Sequence, residues 1–185
     1  MTELEKMAAG ELYDFSSDEI DGSVRAARHK LLVLNRLTPG DEGYAAALRD
    51  LLPASHPTAV VVPPFFCDHG RPIRLGEGVF VNGGATMLDG GGIEIGARTK
   101  VGPDCKFYTP QHPIDYLERR RPVERGLKIV IGEDCWLGGN VTVCPGVTIG
   151  SRTIVGAGSV VVKDLPDDVL AAGNPAVVKR KLRDA

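Results

Sequence analysis

The sequence predicts a mainly β protein: a parallel β-solenoid wound from six-residue repeats, preceded by a helical segment and interrupted once by a loop. Three observations carry this expectation. An apolar residue returns at every sixth position, most clearly at Ile131, Leu137, Val143, Ile149, Val155 and Val161. The residue after each is usually glycine (Gly132, Gly138, Gly150, Gly156), and four after each stands a compact or branched residue (Cys135, Val141, Val147, Thr153, Ser159). An earlier, rougher series runs Leu75, Val81, Met87, slips by two residues through "GGG", and resumes at Ile95, Val101 and Phe107 before stopping at "YTPQHPID", residues 108–115. A six-residue period fits neither a helix nor alternating hairpin strands. A unit this short cannot bury its apolar face alone, so successive hexapeptides must coil and stack each apolar residue on its neighbour in the next coil.

Residues 1–56 read as a helical cap. Ser16 followed by Glu19 fits a capping box, and Val24, Ala27, Leu31 and Leu34 form an apolar stripe. The segment "LTPGDEGY" punctuates before a second short helix, "DEGYAAALRDLL", which Pro53 stops. Residues 57–170 form the solenoid with a loop at 108–130, and residues 171–185 form a tail. Within the solenoid, glycines relieve corners where Cβ atoms would collide. Cys105 and Cys135 fall at inward small positions, where packing is their expected role.

At 185 residues the chain suits one core with an attached segment. A formal net charge of −2 and a pI near 6.1 give no broad basic face for nucleic acid. The acidic start "MTELEKMAAGELYD" lacks an apolar stretch of signal length, and the run "AVVVPPFF" is broken by prolines. The expectation is a cytoplasmic protein without membrane attachment. Cys67, Cys105, Cys135 and Cys144 are too widely spaced for a C-x-x-C metal or redox pair and read as reduced thiols.

The hexapeptide series, the interrupting "YTPQHPID", the segment "IGEDCWLGGNVTVCPGVTIG" and the ending "AAGNPAVVKRKL" together resemble the sugar O-acetyltransferases of the hexapeptide-repeat superfamily. The opening "KMAAGELYD", with "FFCDHG" and "MLDG", resembles the maltose O-acetyltransferase branch more than the galactoside or nodulation branches. The resemblance spans essentially the whole chain. It implies a left-handed parallel β-helix, a homotrimer with active sites between subunits, acetyl-CoA as co-substrate and no metal. It also implies that the loop at 108–130 covers a neighbouring subunit's site, and that a sugar hydroxyl receives the acetyl group.

Such a transfer needs a base, because a hydroxyl is a poor nucleophile until its proton is taken as it attacks. An imidazole, with an ordinary pKa of about 6.5, suits that task. His112, inside the interrupting motif, is the candidate. His29 and His56 read as surface or turn residues, and His69 in "CDHG" either lines the acceptor pocket or shapes a turn. The resemblance places Asn82 and Asp89 at acceptor-contacting positions, with Asp68 and Asp14 as further candidates, although aspartates beside glycines commonly build turns. Gly90 stands where the galactoside branch carries a second aspartate. Trp136, Gly139, Ala157 and Lys163 match positions lining the channel for acetyl-CoA, and Arg180 matches a basic residue near its phosphates. The family often has a basic residue where this chain has Val177. "KRKLR" at the chain end and "ERRRPVER", residues 118–125, read either as phosphate contacts or as solvated surface. No cysteine is required as an acyl carrier, since direct transfer needs only orientation, a base and donors for the oxyanion.

Two other readings remain open. A gamma-type carbonic anhydrase on the same solenoid would bind zinc through three histidines, whereas only His69 and His112 fall in the solenoid region. A catalytically silent scaffold is the second, since fold does not guarantee function.

Overall fold

A computed structural model describes residues 1–182. From Val60 the backbone winds through short parallel strands that pair coil to coil and form three flat faces. On the first face Leu75, Ile95, Ile131 and Ile149 stack in register. The second stacks Val61, Val81, Val101, Leu137, Val155 and Ala171. The third stacks Cys67, Met87, Phe107, Val143 and Val161. All of these side chains are buried, so the six-residue series is a set of interior ladders. Val61 and Cys67 extend the rougher series one coil earlier than Leu75, in a stretch where prolines obscure the period. Cys105 and Cys135 point inward, and their thiols donate to Gly138 O at 3.2 Å and Gly150 O at 3.1 Å.

Two constraints act at the corners. Where glycine follows an inward apolar position it packs against the backbone of the next coil: a Cβ at Gly138 would lie 2.6 Å from Ala157 N, and one at Gly102 would lie 2.6 Å from Gly139 N. Glycine is required there by close approach rather than by torsion. Three residues after the apolar position the chain turns through a left-handed conformation, which Arg98, Asp134, Arg152 and Asp168 adopt with φ of 55–60° down one corner. Arg98 Nε donates to Asp134 Oδ1 at 2.7 Å and Arg152 Nε to Asp168 Oδ1 at 2.6 Å. These exposed pairs add little energy but keep the corners aligned.

The third corner accommodates extra chain. Met87 and Ile95 are eight residues apart, against six elsewhere, and the next coil leaves altogether between Tyr108 and Ile129. Gly91 and Gly126 pass so closely that a Cβ on either would meet the other's backbone at 2.5–2.6 Å. The "GGG" slip is therefore clearance for the excursion strand.

The amino-terminal segment contains α1 (Glu3–Ala8), a strand Leu12–Asp14, α2 (Asp18–Leu34) and α3 (Tyr44–Leu51). Leu34, Leu51 and Leu52 belong to the same core as Val61, Cys67 and Ile73. The free edge of the first coil is satisfied by side chains, which removes an unpaired strand edge. Tyr44 Oη donates to Val61 O at 2.7 Å and accepts from Val61 N at 2.9 Å, while the Asn35 amide bonds both Phe65 N and Phe65 O. At the other end Val177–Lys181 pairs antiparallel with Val169–Ala172. The last three residues of the expected tail lie outside the described residues.

The structure corrects two expectations. Ser17, not Ser16, caps α2, with its hydroxyl accepting from Ile20 N at 3.4 Å. Ser16 instead binds Asp14, and Glu19 reaches Leu4 N. The reciprocal capping box is at Thr2 and Glu5. The strand Leu12–Asp14 was not expected, because its partner Val123–Gly126 lies far along the chain. Among the described residues no helix is long and apolar enough to cross a membrane.

The Gly138→Ala variant is expected to lose at least about 2 kcal/mol of stability, since backbone must move to admit one methyl. Thermal denaturation against the parent checks this.

Candidate active site

The excursion folds back on the amino terminus to make a three-stranded antiparallel sheet. Val123–Gly126 lies in the middle, with Leu12–Asp14 on one side and Pro110–Gln111 on the other. Tyr13 pairs with Glu124 and Gln111 with Arg125, so His112, one residue past the edge strand, arrives opposite Glu124. Side chains in one cross-strand row meet. Here the row is Tyr13, Glu124, His112.

Tyr13 is buried and its hydroxyl donates to Glu124 Oε1. Burial, reinforced by that carboxylate, pushes the phenol well above the ordinary tyrosine range, so it stays a donor. Glu124 Oε2 lies 3.6 Å from His112 Nε2. The other ring nitrogen, Nδ1, is 3.5 Å from Val123 O, and Phe15 packs edge-on against the imidazole at 5.7 Å between centroids. His112 keeps 53 % of its side chain exposed, while Glu124 keeps 13 %.

These groups line a cavity of about 410 Å³ together with Asp68, His69 and Gly90 of the solenoid and Asp21, Val24 and Arg28 of α2. Burial first, and then the neighbouring Asp89 carboxylate, push the Asp68 carboxyl up to about 6. Burial lowers His69, whose Nδ1 contacts Ser23 Oγ at 2.9 Å.

Asp89 is fully buried and takes no part in the cavity wall. Its Oδ1 accepts from Asp68 N and His69 N, both at 2.9 Å, and its Oδ2 from Gly70 N at 2.7 Å. Burial raises its carboxyl while those three donors pull against the rise. Asp89 therefore acts on the cavity through the 68–70 turn. Asp14 caps a turn through Ser16 N and Ser16 Oγ, at 2.8 and 2.7 Å, beside the cavity residues Tyr13 and Phe15.

A second concavity of about 570 Å³ runs down the outside of the second face, and no lining residue is common to the two. Phe80, Asn82, Lys100, Trp136, Ile154 and Leu170 mark successive coils along it. Gly102, Pro103, Gly139 and Ala157 form its small-residue side. Trp136 is 56 % exposed on this face. Five strands from Phe80 to Leu170, at about 4.8 Å each, give a groove on the order of 19 Å long. Arg180 pairs across from Leu170 at its end, on an exposed strand. Lys163 is exposed two residues past Val161 and is not a lining residue of the groove.

The structure thus brings His112 and Asp68 together, and separately gathers Asn82 with Trp136, Gly139 and Ala157. Sequence reasoning missed Tyr13, Phe15, Arg28 and Glu124. The only cue was "GELYD", whose tyrosine is a natural strand residue, because Glu124 sits inside an arginine-rich run. Among the described residues no group of three or more His, Cys, Asp or Glu side chains converges as a metal site requires.

A family model for the bacterial transferase hexapeptide (six repeats) matches residues 128–163. A hexapeptide-repeat acetyltransferase of Vibrio cholerae, solved with acetyl coenzyme A, is 42 % identical, with 100 % of each chain covered and a TM-score of 0.91. The chain belongs to the hexapeptide-repeat acetyltransferases. A maltose O-acetyltransferase of Clostridium difficile is 34 % identical over 100 % of this chain and 99 % of that one, with a TM-score of 0.95. A galactoside acetyltransferase in complex with coenzyme A is 28 % identical over 100 % and 92 %, with a TM-score of 0.93. The solenoid of this acetyltransferase is a left-handed parallel β-helix. That hand is opposite to the usual right-handed crossover.

Asp68 carries a pH-dependent cost in the folded acetyltransferase. A carboxyl whose folded value, about 6, exceeds its ordinary value of 3.8 binds its proton more tightly when folded. It therefore opposes folding once ionised, and the penalty vanishes below the unfolded value. Asp68→Asn is expected to raise the melting temperature at pH 8 and leave it nearly unchanged at pH 3.5. Thermal melts at the two pH values check this.

Proposed function

We propose that this acetyltransferase moves an acetyl group from acetyl-CoA directly to a hydroxyl of a sugar, with His112 as general base. The observation that carries the reading is the cavity at His112, where Asp21, Asp68, Glu124, Arg28 and His69 stand beside the apolar Phe15, Ile20 and Val24. Carboxylates, imidazoles and a guanidinium suit dense hydroxyls. The maltose and galactoside acetyltransferases among the similar structures support the same class.

With its proton on Nδ1, directed to Val123 O, His112 leaves Nε2 to accept. Nε2 takes the hydroxyl proton as that oxygen attacks, then returns a proton to the departing sulfur. Asp68 orients the acceptor, Asp89 holds the turn that presents it, and Asp14, whose Oδ1 is held by Ser16, shapes the turn that carries Phe15 to the cavity. Acetyl-CoA supplies the activated thioester. The groove fits it: an elongated, mostly apolar channel with an exposed indole, glycine-lined close approach and Arg180 at one end. Trp136, Gly139 and Ala157 would flank it, while Arg180 and Lys163 would meet its phosphates.

The cavity and the groove share no lining residue within one chain. A homotrimer resolves this separation, with the groove of one subunit, including Asn82, facing the His112 cavity of the next. Ile114, Tyr116 and Leu117, all more than half exposed on the excursion, are the apolar surface such a neighbour would cover.

His112→Ala is expected to lose at least about a hundredfold in turnover with its assembly unchanged. The check is coenzyme A release across a panel of sugars and amines, with light scattering for the assembly. Wild-type turnover in that variant would refute the base assignment, amines alone as acceptors would refute the sugar, and a stable monomer would refute the shared site. Failure to bind acetyl-CoA at all would favour a silent scaffold.

A further inference from the structure

We infer that His69 is a specificity-determining residue of the acceptor site, donating from Nε2 to an oxygen of the bound sugar while Ser23 of α2 fixes the ring. The inference deepens the sugar reading of the His112 cavity and rests on it.

Three observations carry it. The first is anchorage from two elements. His69 N donates to Asp89 Oδ1 at 2.9 Å, and the next residue, Gly70, packs so closely on α3 that a Cβ there would lie 2.4 Å from Leu51 O. The side chain is held from the helical cap, with Nδ1 2.9 Å from Ser23 Oγ. Ser23 is fixed in turn by α2, whose Ala27, Leu31 and Leu34 are buried in the main core.

The second is direction. His69 stands between two cavities that flank α2. Ser23 lines one of them with Ala26 and Lys30, whereas Asp21, Val24 and Arg28 line the cavity of His112. The two nitrogens of an imidazole diverge widely, so a ring whose Nδ1 meets Ser23 turns Nε2 toward the His112 side. The charges that act on this ring are those of Asp68 and Glu124, both in the wall of that cavity.

The third is an uncommitted donor. Nε2 has no partner among the described residues, yet no fully buried side-chain nitrogen or oxygen lacks one, so Nε2 is open to the cavity. Burial keeps the ring neutral. The Ser23 hydroxyl has a single proton and Nδ1 is its partner, which leaves the ring proton on Nε2, on the side of the two carboxylates. Asp68, one residue earlier, can only accept while ionised. A sugar hydroxyl both donates and accepts, so it satisfies Asp68 and His69 together, which neither an ammonium nor an ether oxygen can do. A site built around such a bond rejects an analogue that lacks the hydroxyl, because its own polar groups are then left unpaired.

The test compares His69→Phe, His69→Gln and Ser23→Ala with the parent in the full-length protein. The probes are methyl glucoside, methyl galactoside and the monodeoxy analogues of each, with acetyl-CoA as donor. One analogue should lose roughly tenfold or more in kcat/KM with the parent enzyme. His69→Phe should lose about as much on the complete sugar and less than about twofold further on that analogue, with KM for acetyl-CoA within about twofold. His69→Gln, whose amide can donate, should recover part of the loss, and Ser23→Ala should fall in the same direction by less. In parallel, ring nitrogen-15 NMR of the parent, with the position-69 signal assigned from His69→Gln, should show a neutral ring protonated on Nε2.

An equal loss in His69→Phe on the complete sugar and on every analogue would overturn the inference and leave the sugar reading intact, as would a ring protonated on Nδ1. Should His69→Phe not fold, His69→Gln and Ser23→Ala decide it on the same pair of sugars. If the parent acetylates neither glycoside nor any other sugar of the panel, the sugar reading fails and this assignment falls with it. A fully active His112→Ala would remove the base and leave the His69 result standing, since the comparison of analogues reads recognition and not proton transfer.

Discussion

The structure depends on one spacing, the distance of about 4.8 Å between stacked backbone coils. At that separation the outward residue after each apolar position has no room for a side chain wherever two corners overlap. The glycines at 102, 132 and 138 are the direct record of this, each with a would-be Cβ within 2.7 Å of the next coil's backbone. The same spacing fixes register, because a coil displaced by one residue would turn its whole apolar set outward. Extra chain can therefore leave the stack only where a corner already has slack. The third corner has it, and Gly91 and Gly126 show the clearance being used.

Once chain leaves there, it must find partners for its own backbone. The excursion strand Val123–Gly126 finds them on both sides, in Pro110–Gln111 and in the amino-terminal Leu12–Asp14. The amino terminus is thus more than a cover for the first coil. It supplies an edge strand without which the middle strand, and Glu124 on it, would lack one of its two pairings. A repetitive scaffold holds the groove, and a small irregular sheet built at its one interruption holds the imidazole.

That division explains what could be read in advance. Ile131 through Val161 announce their inward direction by period alone, since each six-residue step meets the same geometric demand. Cys105 and Cys135 were legible as packing residues for the same reason. His112 was legible because the period fails around it. Tyr13 and Glu124 carry no period, and their pairing spans 111 positions. Glu124 was further masked by its neighbours in "ERRRPVER". Within that run the arginines and the glutamate separate: Arg119 binds the Pro113 and Ile114 carbonyls and Arg120 lies over the Tyr116 ring, while Glu124 turns inward. Asp89 matched an acceptor position by resemblance, yet its oxygens are consumed by the turn at 68–70, a fact only the folded backbone reveals.

The same sheet bears on acceptor choice. Gly90 lines the cavity where the galactoside branch, by resemblance, carries a second aspartate. A Cβ at that position would lie 3.1 Å from Tyr13 Oη and 3.2 Å from Met7 Sδ. An acidic side chain and the phenol cannot both occupy the floor of this cavity without displacement. Here the phenol holds the space, and its proton is committed to Glu124. Position 90 therefore offers no carboxylate to whatever enters this cavity. On the proposed sugar reading, recognition falls to the wall formed by Asp68, Asp21 and Arg28. In this chain the group that braces the partner of His112 also shapes the cavity floor, so a substitution that reopens the floor disturbs the imidazole's surroundings as well.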